Sequence, residues 1–370
     1  MYLSGLKVIE LASVLAAPSV GQFLAELGAE VIKIENPITK GDVTRSWRLS
    51  TESPQNSISA YFSAINWGKT SLSLNISEEN NLQKLYELVR SADIILASYK
   101  PQDAEKLKVD YATLSQINPT IIYGHITGYG NQNPKVGYDA IIQAETGFMF
   151  MNGEPESPPT KMPVALIDVL AGHQLKEGIL IALLEKYKTG KGSYVEVSLF
   201  DSAVSSLVNQ ATNWLNAGHN PLRMGSEHPN IVPYGTIFSS KDEKPLTIAV
   251  GTDKHFALLC EVLGIPEVAQ SPDYQKNAER VKNREKLIAI LREKISTWHR
   301  SDFLQVLEKL QIPAGAIQSI EEVFTMPESL ALLFEQNGLR GLRQWAGKIN
   351  GFRGQELSAP PTYENFPHID

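Results

Sequence analysis

Short apolar runs alternate with amphipathic stretches through the first third of the chain, and this alternation constrains the fold more than any other feature. Lys7-Val8-Ile9-Glu10-Leu11 reads as a strand. A helix follows over 18–27, with Pro18 in its first turn and Gly28 at its end. Glu30-Val31-Ile32-Lys33-Ile34-Glu35 reads as the next strand. Strand, helix and strand with short joins make a parallel crossover unit. The pattern recurs as a helix over 78–90, a strand over 93–97, a helix over 111–117 and a strand over 120–123. The fold class expected is α/β, a doubly wound Rossmann-like large domain. Such folds bind ligands outside the carboxyl ends of their strands.

Further along, residues 152–163 form a turn-rich loop. A long helix is expected over 169–187, then a strand over 194–199 and a helix over 200–217. Prolines 221, 229 and 233 then punctuate a loop. After it come a strand pair (234–238 and 246–250) and helices near 253–263, 278–297 and 301–310. This predicts a large domain over 1–224, completed by 326–370, and a smaller α+β domain over 225–325.

Composition excludes several function classes. The chain has 370 residues, 42% hydrophobic and 20% charged, a globular rather than a disordered profile. Its net charge of −7 argues against nucleic acid or an anionic membrane as partner. No stretch approaches the roughly 20 apolar residues of a membrane span. Met1 to Lys7 does not read as a signal peptide, so a cytoplasmic protein is expected. Cys260 is the single cysteine, and Ala-Leu-Leu-Cys-Glu-Val-Leu around it reads as helix core. The seven histidines are scattered and suggest no metal site. Gly190-Lys191-Gly192-Ser193 mimics the tail of a phosphate loop. Glu185, however, stands in place of its first glycine, and a helix C-cap turn is the better reading. No G-x-G-x-x-G follows the first strand, and neither H-E-x-x-H nor G-x-S-x-G occurs.

The stretch that carries chemistry is Pro163-Val164-Ala165-Leu166-Ile167-Asp168-Val169-Leu170-Ala171-Gly172. An apolar run delivers one carboxylate to the start of a long helix. Capping that helix is the commoner role for such a residue. The alternative is a nucleophile. A helix N-terminus favours the anion by about 0.3–1 kcal/mol, and a pKa of about 3.9 leaves it ionised at neutral pH. An ionised carboxylate suits nucleophilic attack better than general-base work. Small Ala171 and Gly172 are expected to leave room for a bulky substrate.

These pieces, in order, resemble the class III CoA-transferase family, which includes formyl-CoA transferase, carnitine CoA-transferases and α-methylacyl-CoA racemases. The resemblance runs through Leu6 to Leu11 with Ala17-Pro18, Leu27 to Glu35, and Gly41-Asp42 with Thr44-Arg45. It continues through Asn66-Trp67-Gly68-Lys69, Gly128-Tyr129-Gly130 and Gly137-Tyr138-Asp139. The Asp168 segment, Val197 to Asp201 and His228 to Tyr234 complete it.

The resemblance implies CoA transfer from an acyl-CoA to a small carboxylic acid, with Asp168 as covalent nucleophile. Coenzyme A enters as substrate, not as a permanently bound cofactor. The implied CoA contacts are Leu15, Ala16, Asn36, Leu74, Asn75, Ser98, Tyr99, Lys100, Lys106, Val136, Gly137, Tyr138 and Asp139. Lys100 and Lys106 supply the charge that CoA phosphates need. The resemblance also implies a homodimer of two interlocked open rings. The chain departs from the family pattern at Ser98-Tyr99-Lys100-Pro101-Gln102, where Asn-x-x-Pro-Gly is usual. Asn36 replaces a common arginine and Leu15 a glutamine. A 2-methylacyl-CoA racemase is a second reading, but the family's racemases carry Gly-His-Asp where this chain has Gly137-Tyr138-Asp139. Tyrosine, with a pKa of about 10, is a poor proton shuttle near neutrality. A non-catalytic CoA-binding relative is a third reading.

Overall fold

The computed structural model describes residues 1–53 and 55–363. The chain divides into two compact units. The first holds 1–148, 161–218 and the described residues from Glu328 onward; the second holds 149–160 and 219–327. The 364–370 end of the segment expected to complete the large domain lies outside the described residues.

The first unit is built on six strands: β1 (Lys7–Leu11), β2 (Glu30–Glu35), β3 (Lys69–Ser73), β4 (Ile94–Ala97), β5 (Ile122–Thr127) and β6 (Ser193–Ser198). Every neighbouring pair is parallel, in the order β3-β2-β1-β4-β5-β6. This is the strand order of the doubly wound dinucleotide-binding sheet. Its helices are α1 (Ala16–Glu26), α2 (Ala60–Ser63), α3 (Glu79–Arg90), α4 (Pro101–Lys106), α5 (Tyr111–Ile117), α6 (Asp139–Glu145), α8 (Leu166–Thr189), α9 (Leu199–Ser205) and α10 (Val208–Ala217); the short α7 (Phe148–Met151) falls at the boundary, its last three residues in the second unit. The side-chain alternation of β1 and β4 divides the core into two layers. Val8, Ile94 and Leu96 pack with α1 and α8. Ile9, Leu11 and Ile95 pack on the other face with α3 and α5. Strands buried on both faces read as near-continuous apolar runs, as β4 does; β1 and β2 stand out too, although each is interrupted by a buried charge, Glu10 and Lys33, paired with each other at 2.9 Å.

Helix α8 ends at Gly190, in the left-handed conformation (φ +69°), whose N–H donates to Lys186 O at 2.8 Å. The expected C-cap turn is therefore present. Ala171 is buried, and a Cβ on Gly172 would stand 2.7 Å from Ser19 Oγ and 3.2 Å from Ala16 O. The small residues let α8 approach α1 closely, so the expected space for substrate is not there. The helix expected over 200–217 is two helices, α9 and α10, broken at Ser206-Leu207.

The second unit pairs three antiparallel strands, β7 (Tyr234–Ser239), β8 (Pro245–Ala249) and β9 (Ala314–Ala316). Helices Asp253–Val262, Arg284–Ile295 and Arg300–Lys309 share one apolar core with them. Cys260 lies in that core, and burial pushes its thiol up to about 12. A hairpin in the first unit, β10 (Leu333–Gln336) and β11 (Leu339–Leu342), lays Phe334 against Trp67, ring centroids 5.6 Å apart. No helix among the described residues is long and apolar enough to cross a membrane.

Candidate active site

The winding direction of the sheet reverses between β1 and β4, so the loops after these strands open a crevice. A cavity of about 240 Å³ lies there. Leu15 and Ala16 line it from the β1 loop, and Ser98, Tyr99 and Lys100 from the β4 loop. Val136, Gly137, Tyr138 and Asp139 line it from the segment before α6, and Asp168 from α8. A second cavity of about 690 Å³ shares Ser13, Ser98 and Tyr99 with the first and reaches Asn36, Lys40 and Arg45. Thus eleven of the fourteen residues named from the sequence line one of these two cavities.

Leu74, Asn75 and Lys106 line neither. Leu74 is buried in the core layer below α3. The Asn75 amide donates to Glu78 Oε1 at 2.7 Å. Lys106 is at the C-terminal end of α4, whose first residue, Pro101, faces the cavity.

Local geometry explains why the walls stand where they do. Val14 adopts φ +72°, a strained conformation for a β-branched residue. A buried ion pair brackets this turn. Lys33 Nζ donates to Ala12 O at 2.6 Å and meets Asp42 Oδ2 at 2.9 Å, while Val14 N approaches Asp42 Oδ1 at 3.5 Å. The Gly-Tyr-Gly and Gly-Tyr-Asp motifs meet through their glycines. A Cβ on Gly137 would stand 2.6 Å from Gly128 Cα, so only glycine allows this backbone approach. The approach brings Val136 to Asp139 back over the end of β5.

Asp168 is the third residue of α8, not its cap; Ala165 holds the cap position without a side-chain bond. The capping acceptor comes from α6. Asp139 Oδ1 accepts from Ile167 N at 2.8 Å, and its Oδ2 accepts from Gln143 Nε2 at 2.8 Å. Burial and the neighbouring Asp139 charge push Asp168 up to about 7. The expectation of a fully ionised carboxylate is corrected accordingly: desolvation and a like charge outweigh the helix N-terminus.

Sequence reasoning missed Tyr61, on α2. Burial raises its pKa, and the charges of Asp168, Asp139 and Asp42 add to the rise, which places it in the field of the site. Trp47 packs edge-on against Tyr61 at 5.0 Å. Sequence reasoning also missed Lys40. Of the cations lining the second cavity, Lys33 is paired with Glu10 and Asp42, and Arg45 with Glu35. Among the described residues Lys40 has no such carboxylate. Neither Tyr61 nor Lys40 lies in a periodic segment, so no pattern marked them.

A carboxylate at the switch-point crevice, open to a cavity and lacking a cationic partner among the described residues, matches the architecture of enzymes that act through an acidic nucleophile. Comparison with known proteins decides the family. Residues 3–346 match the model of CoA-transferase family III. The chain belongs to this family. It is a class III CoA-transferase, similar over most of its length to others. It is 38% identical to a succinate–glutarate CoA-transferase of Agrobacterium fabrum, covering 92% of this chain and 84% of that one. It is 35% identical to an acetyl-CoA:oxalate CoA-transferase of Acetobacter aceti, covering 90% and 86%. Among solved structures, a CAIB/BAIF family protein from Brucella suis superposes with TM-score 0.85 at 38% identity, covering 97% and 95%. Acyl-CoA is thus a substrate of the activity, and the transferase reading prevails over the racemase and non-catalytic ones.

Proposed function

We propose that this class III CoA-transferase moves CoA between short carboxylic acids through covalent chemistry at Asp168. An Asp168 oxygen attacks the thioester carbonyl carbon, the C–S bond breaks, and CoA leaves as thiolate. The product is a mixed anhydride between the donor acid and the aspartyl carboxyl. The thiolate attacks the aspartyl carbonyl carbon and expels the donor acid as carboxylate, leaving an aspartyl–CoA thioester. An acceptor carboxylate reverses these steps, and the thiolate takes the new acyl group as Asp168 is released ionised. Each step exchanges one anion for another, so no net proton is required.

The observation that carries this reading is the desolvated Asp168 carboxyl on the cavity wall, free of any hydrogen bond or ion pair among the described residues. A more basic carboxylate is a stronger nucleophile once ionised. The first cavity receives the thioester end of the substrate. The second, where Lys40 stands without a carboxylate partner among the described residues, receives the phosphate-bearing end, and Lys100 faces it from the wall of the first. Succinate, glutarate and oxalate, named for the relatives, support short dicarboxylates as the acid class. The working protein is a homodimer.

The decisive experiment is mass spectrometry of enzyme mixed with acyl-CoA donor. A CoA-sized adduct on Asp168 is expected, absent in Asp168→Asn, whose kcat falls at least about 10³-fold. A variant that keeps its activity sinks the reading. A panel of donors against short dicarboxylates, followed by thioester exchange, then names the substrates.

A further inference from the structure

His125, on β5, is 3% exposed, yet both its ring nitrogens have partners. Nε2 lies 2.8 Å from the Tyr99 carbonyl oxygen and Nδ1 lies 2.9 Å from the Tyr194 hydroxyl. A carbonyl can only accept, so Nε2 carries the proton. Nδ1 then offers its lone pair to the Tyr194 O–H. Burial holds the imidazole below its usual pKa, and the ring is neutral.

The Tyr99 peptide has few other supports. Ser98 N donates to Leu11 O at 3.4 Å, and Ser98 Oγ accepts from Ser13 N at 3.3 Å; both are longer bonds. Pro101, which opens α4, lines the first cavity and also a third of about 240 Å³. Tyr111, Tyr123, His125 and Tyr194 wall that third cavity. The start of α4 therefore borders two voids, while the Tyr99 ring packs against the core layer below α3 and Lys100 O accepts from Asp103 N and Ala104 N within the helix. Of the bonds that tie this loop to neighbouring strands, the one from His125 is shorter than the two at Ser98.

We propose that His125, held in its Nε2–H tautomer by Tyr194, is a positioning residue that fixes the Tyr99 peptide, and with it the 98–100 wall of the first cavity, whose Ser98 and Tyr99 also line the second. His125 touches no reacting atom. The inference rests on the reading that residues 98–100 contact CoA.

The test uses the full chain with kcat and KM separated. Loss of one such bond is worth up to about tenfold. His125→Leu is expected to raise the KM for acyl-CoA by about that factor, with kcat within about twofold. His125→Gln, whose amide can still donate to Tyr99 O, is expected to restore most of the KM. A structural role alone would lower thermal stability in His125→Leu and leave KM unchanged, and that result overturns the proposal. Should His125→Leu not fold, two measurements remain. His125→Gln must keep a near-normal KM, and ¹⁵N NMR of the wild-type imidazoles must show a buried Nε2–H tautomer at His125. An Nδ1–H tautomer there refutes the proposal by itself. Lys100→Ala separates the two readings. An unchanged acyl-CoA KM in Lys100→Ala removes the CoA contact at 98–100, whereas a raised KM in Lys100→Ala but not in His125→Leu removes only the role of His125.

Discussion

A carboxyl whose charged neighbour is another carboxyl serves the fold badly, and Asp168 is such a group. Like charge and burial raise its pKa to about 7, so folding favours its protonated form. Two outcomes follow from the sign of this shift. The first is kinetic. With the carboxylate as nucleophile, kcat/KM rises with pH through an apparent pKa near 7. Asp139→Asn removes the like charge while its Oδ1 can still accept from Ile167 N, so the rising limb moves to lower pH. A pH–rate profile that does not move in that variant rejects the coupling. The second is thermodynamic. Between the unfolded pKa of about 3.9 and the folded value, the native state binds more protons than the unfolded one, so stability falls as pH rises. Asp168→Asn has no such loss. It melts above the wild type at pH 8, and the gap closes as pH falls toward 4. Melting curves across this range that run parallel would contradict it.

At the scale of elements, the approach of α8 to α1 decides where Asp168 stands. Gly172 permits that approach, with a virtual Cβ 2.7 Å from Ser19 Oγ. Gly172→Leu drives the helices apart and costs about 1–3 kcal/mol, read as a drop in melting temperature. Because the same helix presents Asp168 four residues earlier, kcat falls with it; a variant destabilised but equally active would show that α8 can shift without moving the proposed nucleophile. The elements that were legible share one property: two buried faces, as in β1, β2 and β4. β3 was not legible, because Lys-Thr-Ser-Leu-Ser is polar. Its Lys69 and Ser71 are buried only by virtue of Glu10 and Glu35, supplied by neighbouring strands. β5 runs on to Thr127 past Gly124 and His125, where the apolar pattern had ended. The site was legible in a different way. The loops that line the cavity matched the resemblance because backbone geometry, such as the Gly128–Gly137 approach, leaves a mark in the sequence. The charge state of Asp168 left none, since burial and the Asp139 contact join residues 29 positions apart.

At the scale of the whole molecule, α8 carries an apolar face that the described residues leave exposed. Ile181, Leu184 and Tyr187 recur at three-residue spacing and are 67%, 64% and 94% exposed. Scattered exposed apolar residues are ordinary, but a stripe along one helix marks a partner surface. In the homodimer proposed above, a second copy of the chain is that partner. Full burial of a Leu or Tyr side chain is worth about 1.5–3 kcal/mol, and a lysine in its place must also be desolvated. Leu184→Lys with Tyr187→Lys should therefore weaken association by at least about 100-fold. Sedimentation at micromolar concentration is expected to give twice the chain mass of 40.9 kDa for the wild type and the single-chain mass for the double variant. Because Asp168 lies at the opposite end of the same helix, the activity of the separated chains is informative. If each chain holds a complete site, the monomeric variant retains turnover. If the interlocked arrangement completes the site, turnover disappears with the dimer and returns at protein concentrations that restore it.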